Sequence, residues 1–161
     1  MPLLTLTSDI GHQDYLVGAV KAQLLQINMG FTIVDISHNI SPFNYPQAAY
    51  ICRSAIKSFP EFSYHIILIN LFEKKPEQLL LAFHNNQYLL CADNGLLNMI
   101  LEEKPEMVIG IPLDKLAIKN TLYCASIMGN VVNQLIQGES VKNIGVADVS
   151  YREKKSFTPT A

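Results

Sequence analysis

Runs of β type and stripes of helical spacing take turns along this chain. Leu3–Thr7 reads as a short strand that ends in the polar pair Ser8-Asp9. Asp14 can cap a helix over about Tyr15–Met29, where Val17, Val20, Leu24 and Ile27 share a face and Gly30 follows as a stop. Phe31–Ile36 is β-branched and aromatic, and predicts the next strand. Asn44 caps a second helix to about Phe59, with an inward stripe at Ala48, Ile51, Cys52, Ala55, Ile56 and Phe59. Tyr64–Asn70 is almost wholly apolar, as a strand covered on both faces must be. Glu73–Gln78 is a charged loop. Leu79–Phe83 and Gln87–Cys91 flank Asn85-Asn86, which signals a hairpin. Gly95–Leu101 predicts a short helix, Met107–Ile111 a strand, and Thr121–Gln137 a long helix with Ala125, Met128, Val132 and Leu135 inward.

Strands alternating with helices imply an α/β fold, a mostly parallel central sheet with helices on both faces. In such sheets ligands gather at the carboxyl ends of the strands. Several apolar runs here end in polar clusters: Thr7-Ser8-Asp9, Asp35-Ile36-Ser37-His38, Asn70 and Asp93-Asn94-Gly95. If the strands are parallel neighbours, these clusters share one rim. Residues 1–150 are expected to form one α/β domain, and the polar segment 151–161 a linker-like tail.

Composition narrows the function. The 161 residues are 49% hydrophobic and only 16% charged, enough for a full core. Twelve Lys and Arg against fourteen Asp and Glu leave no basic excess, so nucleic-acid binding driven by phosphate contacts is not expected. Cys52, Cys91 and Cys124 sit in apolar runs without a CxxC, which points to reduced packing thiols and a cytoplasmic protein. No signal-peptide pattern and no long apolar span argue for membrane association. His12, His38, His65 and His84 lack metal-ligand spacing, so neither a metal nor another cofactor is expected. Asp35 and His38 are three apart at a strand end, where regular geometry does not set them face to face; a structural role is expected for both.

At the rim the sequence resembles a known family. Thr5-Leu6-Thr7-Ser8-Asp9-Ile10-Gly11, followed by Asp14-Tyr15-Leu16-Val17-Gly18 and Lys21, is similar to the opening of the S-adenosylmethionine hydroxide adenosyltransferases, a superfamily that includes the fluorinases and chlorinases. Ile33-Val34-Asp35-Ile36-Ser37-His38 with Ile40, Pro42 and Ala48-Ala49 is a second block, and Asp93-Asn94-Gly95-Leu96-Leu97 a third. The resemblance implies a Rossmann-like amino-terminal domain, usually followed by a β-rich second domain. It also implies a homotrimer with S-adenosylmethionine as substrate or ligand between one subunit's first domain and its neighbour's second. The chain stops near where that second domain is expected to begin.

The departures are informative too. Where the hydrolases of the family carry an Asp-Pro-Gly-Val-Gly-Thr-x-Arg-type loop, this chain reads Asn70-Leu71-Phe72-Glu73-Lys74-Lys75-Pro76-Glu77. Asn70 stands at the aspartate and Glu77 at the arginine. Tyr123 stands at the family's later histidine, so the Asp-Arg-His set that activates water is substituted throughout. Tyr123-Cys124 is closer to the Tyr-Ser of the halogenases, but Glu73 and Glu77 are electrostatically adverse to a halide.

The resemblance assigns Asp9 to the ribose diol, where two carboxylate oxygens suit two hydroxyls; the alternative is a strand-end turn. It places Phe43 against the ligand, with core or trimer packing as the alternative. Asn94 contacts ribose or adenine, or simply forms a turn before a helix. Asn70 and Tyr123 would orient water. Cys124 completes the set of binding positions, although burial as a packing residue suits its apolar surroundings better. Asp14 suits a helix cap better than a ligand. Two functions are therefore expected as alternatives: hydrolysis of S-adenosylmethionine to adenosine and methionine, or binding of an adenosyl ligand without catalysis, as a sensor or assembly subunit.

Overall fold

A computed structural model of the chain describes residues 2–154. The elements run β1 (Leu3–Ser8), α1 (Leu16–Ile27), β2 (Thr32–Ser37), α2 (Tyr45–Ser58), β3 (Tyr64–Leu68), β4 (Gln78–His84), β5 (Gln87–Ala92), α3 (Leu96–Leu101), β6 (Met107–Pro112), α4 (Thr121–Ile136) and β7 (Val146–Ala147). The strands form one sheet in the order β2-β1-β3-β5-β4-β6-β7. β2, β1, β3 and β5 are parallel neighbours, with Leu4 opposite Tyr64 and Ile66 opposite Leu90. β4 is antiparallel to both β5 and β6, and β7 is antiparallel to β6.

The sheet is therefore mixed, which refines the expectation of a mostly parallel one. The cause is the Asn85-Asn86 turn. Both residues take positive φ, 49° and 60°, as a two-residue hairpin turn requires. That turn sets β4 against β5, and β4 then serves as the centre of the antiparallel half.

Alternation along the strands builds two apolar layers. Leu4, Leu6, Ile66, Leu68, Leu79, Leu81 and Leu90 face α1 and α4, meeting Val20, Leu24, Cys124, Ala125 and Met128. Ile67, Leu80, Ala82, Leu89 and Cys91 face α2 and α3, meeting Ala48, Cys52, Leu97 and Ile100. Each fully buried leucine contributes about 1.5–3 kcal/mol of transfer free energy. Close approach of α1 to α4 depends on Gly129, where a Cβ would lie 2.7 Å from Leu24 Cδ2.

Most element boundaries follow the expected signals, but α1 has Tyr15 as its N-cap and ends at Ile27 with Asn28 as its C-cap, ahead of Gly30. Asn44 accepts the Gln47 N–H at 3.2 Å and starts α2. Asp14 accepts the Leu16 N–H at 2.8 Å ahead of α1. All five residues of β3 are buried, as its unbroken apolar run demands. Cys52, Cys91 and Cys124 are free and buried. No helix of the described residues is long and apolar enough to cross a membrane. The segment read as a tail begins against the domain: Arg152 N–H donates to Asp93 at 2.7 Å, and Asn98 donates to the Lys154 carbonyl at 3.0 Å. Its remainder, 155–161, lies outside the described residues.

Candidate functional site

Because β1, β3 and β5 are parallel neighbours, their carboxyl ends bring Asp9, Asn70 and Asp93-Asn94 to one rim. Asp9 accepts the Asn70 N–H at 2.7 Å. Asn70 has φ 47°, a left-handed turn that asparagine tolerates better than most residues. This turn aims its side chain at α2, where Nδ2 donates to the Tyr45 hydroxyl at 2.8 Å. Tyr45 in turn donates to Glu73 at 3.0 Å. Lys154 closes the group: its ammonium donates to the other Glu73 oxygen at 3.1 Å and stands 3.7 Å from the centre of the Tyr45 ring.

Asn94 is buried behind this group. Its Nδ2 donates to the Ile69 and Asn70 carbonyls at 2.9 and 3.2 Å, and its Oδ1 accepts the Leu96 N–H. With its amide so engaged, it shapes the rim and starts α3. Asp93 accepts from Gln78 at 2.9 Å and from Arg152.

Electrostatics distinguish the two rim carboxylates. Burial pushes the Asp9 carboxyl above its ordinary value, against the opposing pull of the Asn70 N–H and its own N–H. Burial works in the same direction on Glu73, but hydrogen bonds from Lys154 and Tyr45 outweigh it and hold that carboxyl low. Burial, helped by the neighbouring Glu73 carboxylate, pushes the Tyr45 phenol up to about 12. At neutral pH the group is thus a neutral phenol beside a firmly ionised carboxylate.

A second network underlies the rim. His38 Nε2–H donates to Asp35 at 2.7 Å, and Nδ1 accepts from the Ser8 hydroxyl at 2.5 Å. Lys21 is ion-paired with Asp35. Asp35 and His38 are therefore in direct contact, contrary to the geometric expectation from their spacing. The chain leaves the extended conformation after Ser37, and the backbone turns back so that the Gly11 N–H donates to the His38 carbonyl at 2.7 Å. His38 is only 1% exposed and Ser8 is fully buried, while the Asp35 side chain is one-third exposed. The network ties the loop carrying Asp9 to the end of β2.

Beside the rim lies a cavity of about 920 Å³, whose walls include Asn70, Glu73, Asp93, Asn94, Lys119 and Arg152. Asp9 adjoins it through Asn70. Phe43 stands 88% exposed before α2, apart from that cavity. Tyr123 is in the first turn of α4, half-buried against the core. Cys124 is a correction: its side chain is fully buried in the core layer, and burial pushes its thiol up to about 11. It is a packing residue without access to a rim ligand. Sequence reasoning missed Tyr45 and Lys154. Tyr45 follows the Asn44 cap and so had to lie at the helix mouth, a usable signal; Lys154 comes from a distant part of the chain and offered none.

Residues 4–145 match the family described as SAM hydroxide adenosyltransferase N-terminal domain. The chain is similar to the (R)-S-adenosyl-L-methionine hydrolase of Methanocaldococcus jannaschii, 34% identical over 108 residues that make up 64% of this chain and 41% of that protein. It is also similar to a fluorinase of an Actinoplanes species, 33% identical over 60 residues, 37% of this chain and 20% of that protein. The chain thus matches less than half the length of these curated relatives. Among solved structures, an uncharacterized conserved protein from Thermotoga maritima superposes with a TM-score of 0.81 at 25% identity, covering 99% of this chain and 63% of that one. A conserved hypothetical protein from Thermus thermophilus shares the fold, with a TM-score of 0.72 at 20% identity and coverage of 96% and 62%.

Proposed function

The chain belongs to the S-adenosylmethionine hydroxide adenosyltransferase family through its N-terminal domain, and from that premise we propose that its sheet rim binds the adenosyl part of S-adenosylmethionine. The carrying observation is the half-buried Asp9 carboxylate at the end of β1, inside the matched span. One of its oxygens accepts the Asn70 N–H. A carboxylate has about four lone-pair sites, so capacity remains for a vicinal diol. Asn94 shapes the wall behind the ligand, and Asn70 links the diol site to the cavity.

The proposed reaction is displacement by water at the ribose C5′. The new C5′–O bond forms as the C5′–S bond breaks; sulfur keeps the electron pair as neutral methionine, and water gives up a proton. The sulfonium is already a good leaving group, so orientation and desolvation carry much of the acceleration. Asn70 and Tyr123 would orient the water. Phe43 would line the ligand pocket or be covered by the neighbouring subunit of a homotrimer. A cytoplasmic location belongs to the same reading, since three free buried cysteines suit a reducing compartment.

A second reading, binding without turnover, is favoured by one observation. Asn70 and Tyr123 stand where hydrolases of the family have an acid and a base, and the ionised Glu73 is already held by Tyr45 and Lys154. Two assays separate these readings. Adenosine at 100 times its dissociation constant should stabilise the chain by about 2.7 kcal/mol. Chromatography of S-adenosylmethionine incubated with the protein should show adenosine if it is a hydrolase. Stabilisation without release selects the binding protein. No stabilisation by either adenosine or S-adenosylmethionine overturns the proposal.

A further inference from the structure

The Lys154 ammonium is lodged between an aromatic face and a carboxylate. It lies 3.7 Å from the centre of the Tyr45 ring and 3.1 Å from a Glu73 oxygen. An aromatic face draws cations through its quadrupole, and an adjoining carboxylate adds a full opposite charge. Both partners are pre-set. The Tyr45 hydroxyl is held between the Asn70 amide and Glu73, two contacts that do not involve the lysine. The lysine, by contrast, arrives on an extended segment after the last strand. That segment is held at Arg152 by Asp93, at Glu153 by a bridge to Gly95, and at the Lys154 carbonyl by Asn98. Gly95 makes room for it: a Cβ there would lie 2.4 Å from Lys154 Cγ.

We propose that the Tyr45 face and the Glu73 carboxylate form a binding site for a small organic cation, and that the Lys154 ammonium is its resident occupant, which a ligand cation must displace. The site touches the diol-binding position through Asn70, which bonds both Tyr45 and Asp9. That the natural cation is a sulfonium rests on the adenosyl reading above; the cation site itself does not. Lys154 then acts as an internal competitor that lowers affinity for cations and leaves neutral nucleosides unaffected.

Trimethylsulfonium is the probe, titrated into the 161-residue chain while the Tyr45 ring resonances are followed by NMR, with Tyr45→Phe used to assign them. Lys154→Met is the variant, because it keeps the stem against Gly95 and removes only the charge. The variant should bind trimethylsulfonium about three- to thirtyfold more tightly than the parent, the worth of one cation–aromatic contact removed from competition. Uncharged tert-butanol should not bind either protein. Equal affinity for the cation in both proteins, or binding of tert-butanol as strong as that of the cation, would overturn the proposal. Adenosine titrated in parallel keeps the two readings separate. A cation effect without adenosine binding rejects the adenosyl reading alone, and equal adenosine binding without a cation effect rejects the cation site alone.

Discussion

Replacing Asp35 by alanine isolates what the buried His38 network contributes. In the native chain Asp35 accepts from His38 at 2.7 Å and pairs with Lys21. The Lys21 pair is exposed, and such pairs contribute about 0–1 kcal/mol. His38 is different, being 1% exposed. Removing Asp35 leaves its Nε2–H without a protein partner, and an unsatisfied buried donor costs about 1–3 kcal/mol. Asp35→Ala should therefore destabilise by about 1–3 kcal/mol, which lowers the melting temperature by about 2–4 °C per kcal/mol in a domain of this size. Lys21→Ala should cost about 0.5 kcal/mol or less. The effect also has a pH signature. Burial tends to raise the Asp35 carboxyl, but hydrogen bonds from His38 and Lys21 outweigh it and hold the group below its ordinary value of 3.8. Stability from a depressed carboxyl is fully present above the unfolded value and lost as pH falls through the folded one. Urea unfolding between pH 5 and pH 3 should show the gap between parent and variant closing as pH falls through the folded value of Asp35. If Asp35→Ala costs no more than Lys21→Ala, or if the gap ignores pH, the network does not hold the two loops as described.

Two further perturbations test the frame that carries the rim. His65 bonds Thr5 and Gln87 at 2.7 and 2.6 Å, and burial holds its ring below the ordinary value of 6.5 despite the Gln87 bond. A depressed histidine lends stability that is full above about 6.5 and is lost as pH falls through its folded value, so urea midpoints should drop between pH 7.5 and 5.5, and less so in His65→Gln. Leu90 is fully buried in the layer under α1 and α4, and Leu90→Ala should cost about 2–5 kcal/mol in chemical denaturation through the cavity it leaves.

Periodicity revealed most of this architecture because burial imposes it. The unbroken Ile66-Ile67-Leu68-Ile69 run needed a strand covered on both sides, and β3 lies at the middle of the parallel half. The Asn85-Asn86 pair announced a hairpin, yet nothing local says that β4 would be clasped between β5 and β6; that choice depends on pairings between distant segments. At the site, the polar endings at Asp9, Asn70 and Asn94 were legible because parallel strands deliver their ends to one edge. The contact of Asp35 with His38 was not, because strand geometry no longer applies past Ser37. Cys124 entered the binding set by alignment, although its apolar surroundings already suited a packing residue, and it packs in the core with Ala125 and Met128. The meeting of Lys154 with Tyr45 joins residues over a hundred positions apart and leaves no mark in either local pattern.

Competition between adenosine and 2′,3′-dideoxyadenosine for the unaltered chain, repeated with Asp9→Asn, asks most directly whether Asp9 holds a ribose. Charged hydrogen bonds contribute about 1.5–3 kcal/mol each, so the parent should prefer adenosine by at least about tenfold. Asp9→Asn should erase that preference while its melting temperature stays level or rises, because burial already works against the charged carboxylate. Equal affinity of the unaltered chain for the two nucleosides would contradict the account.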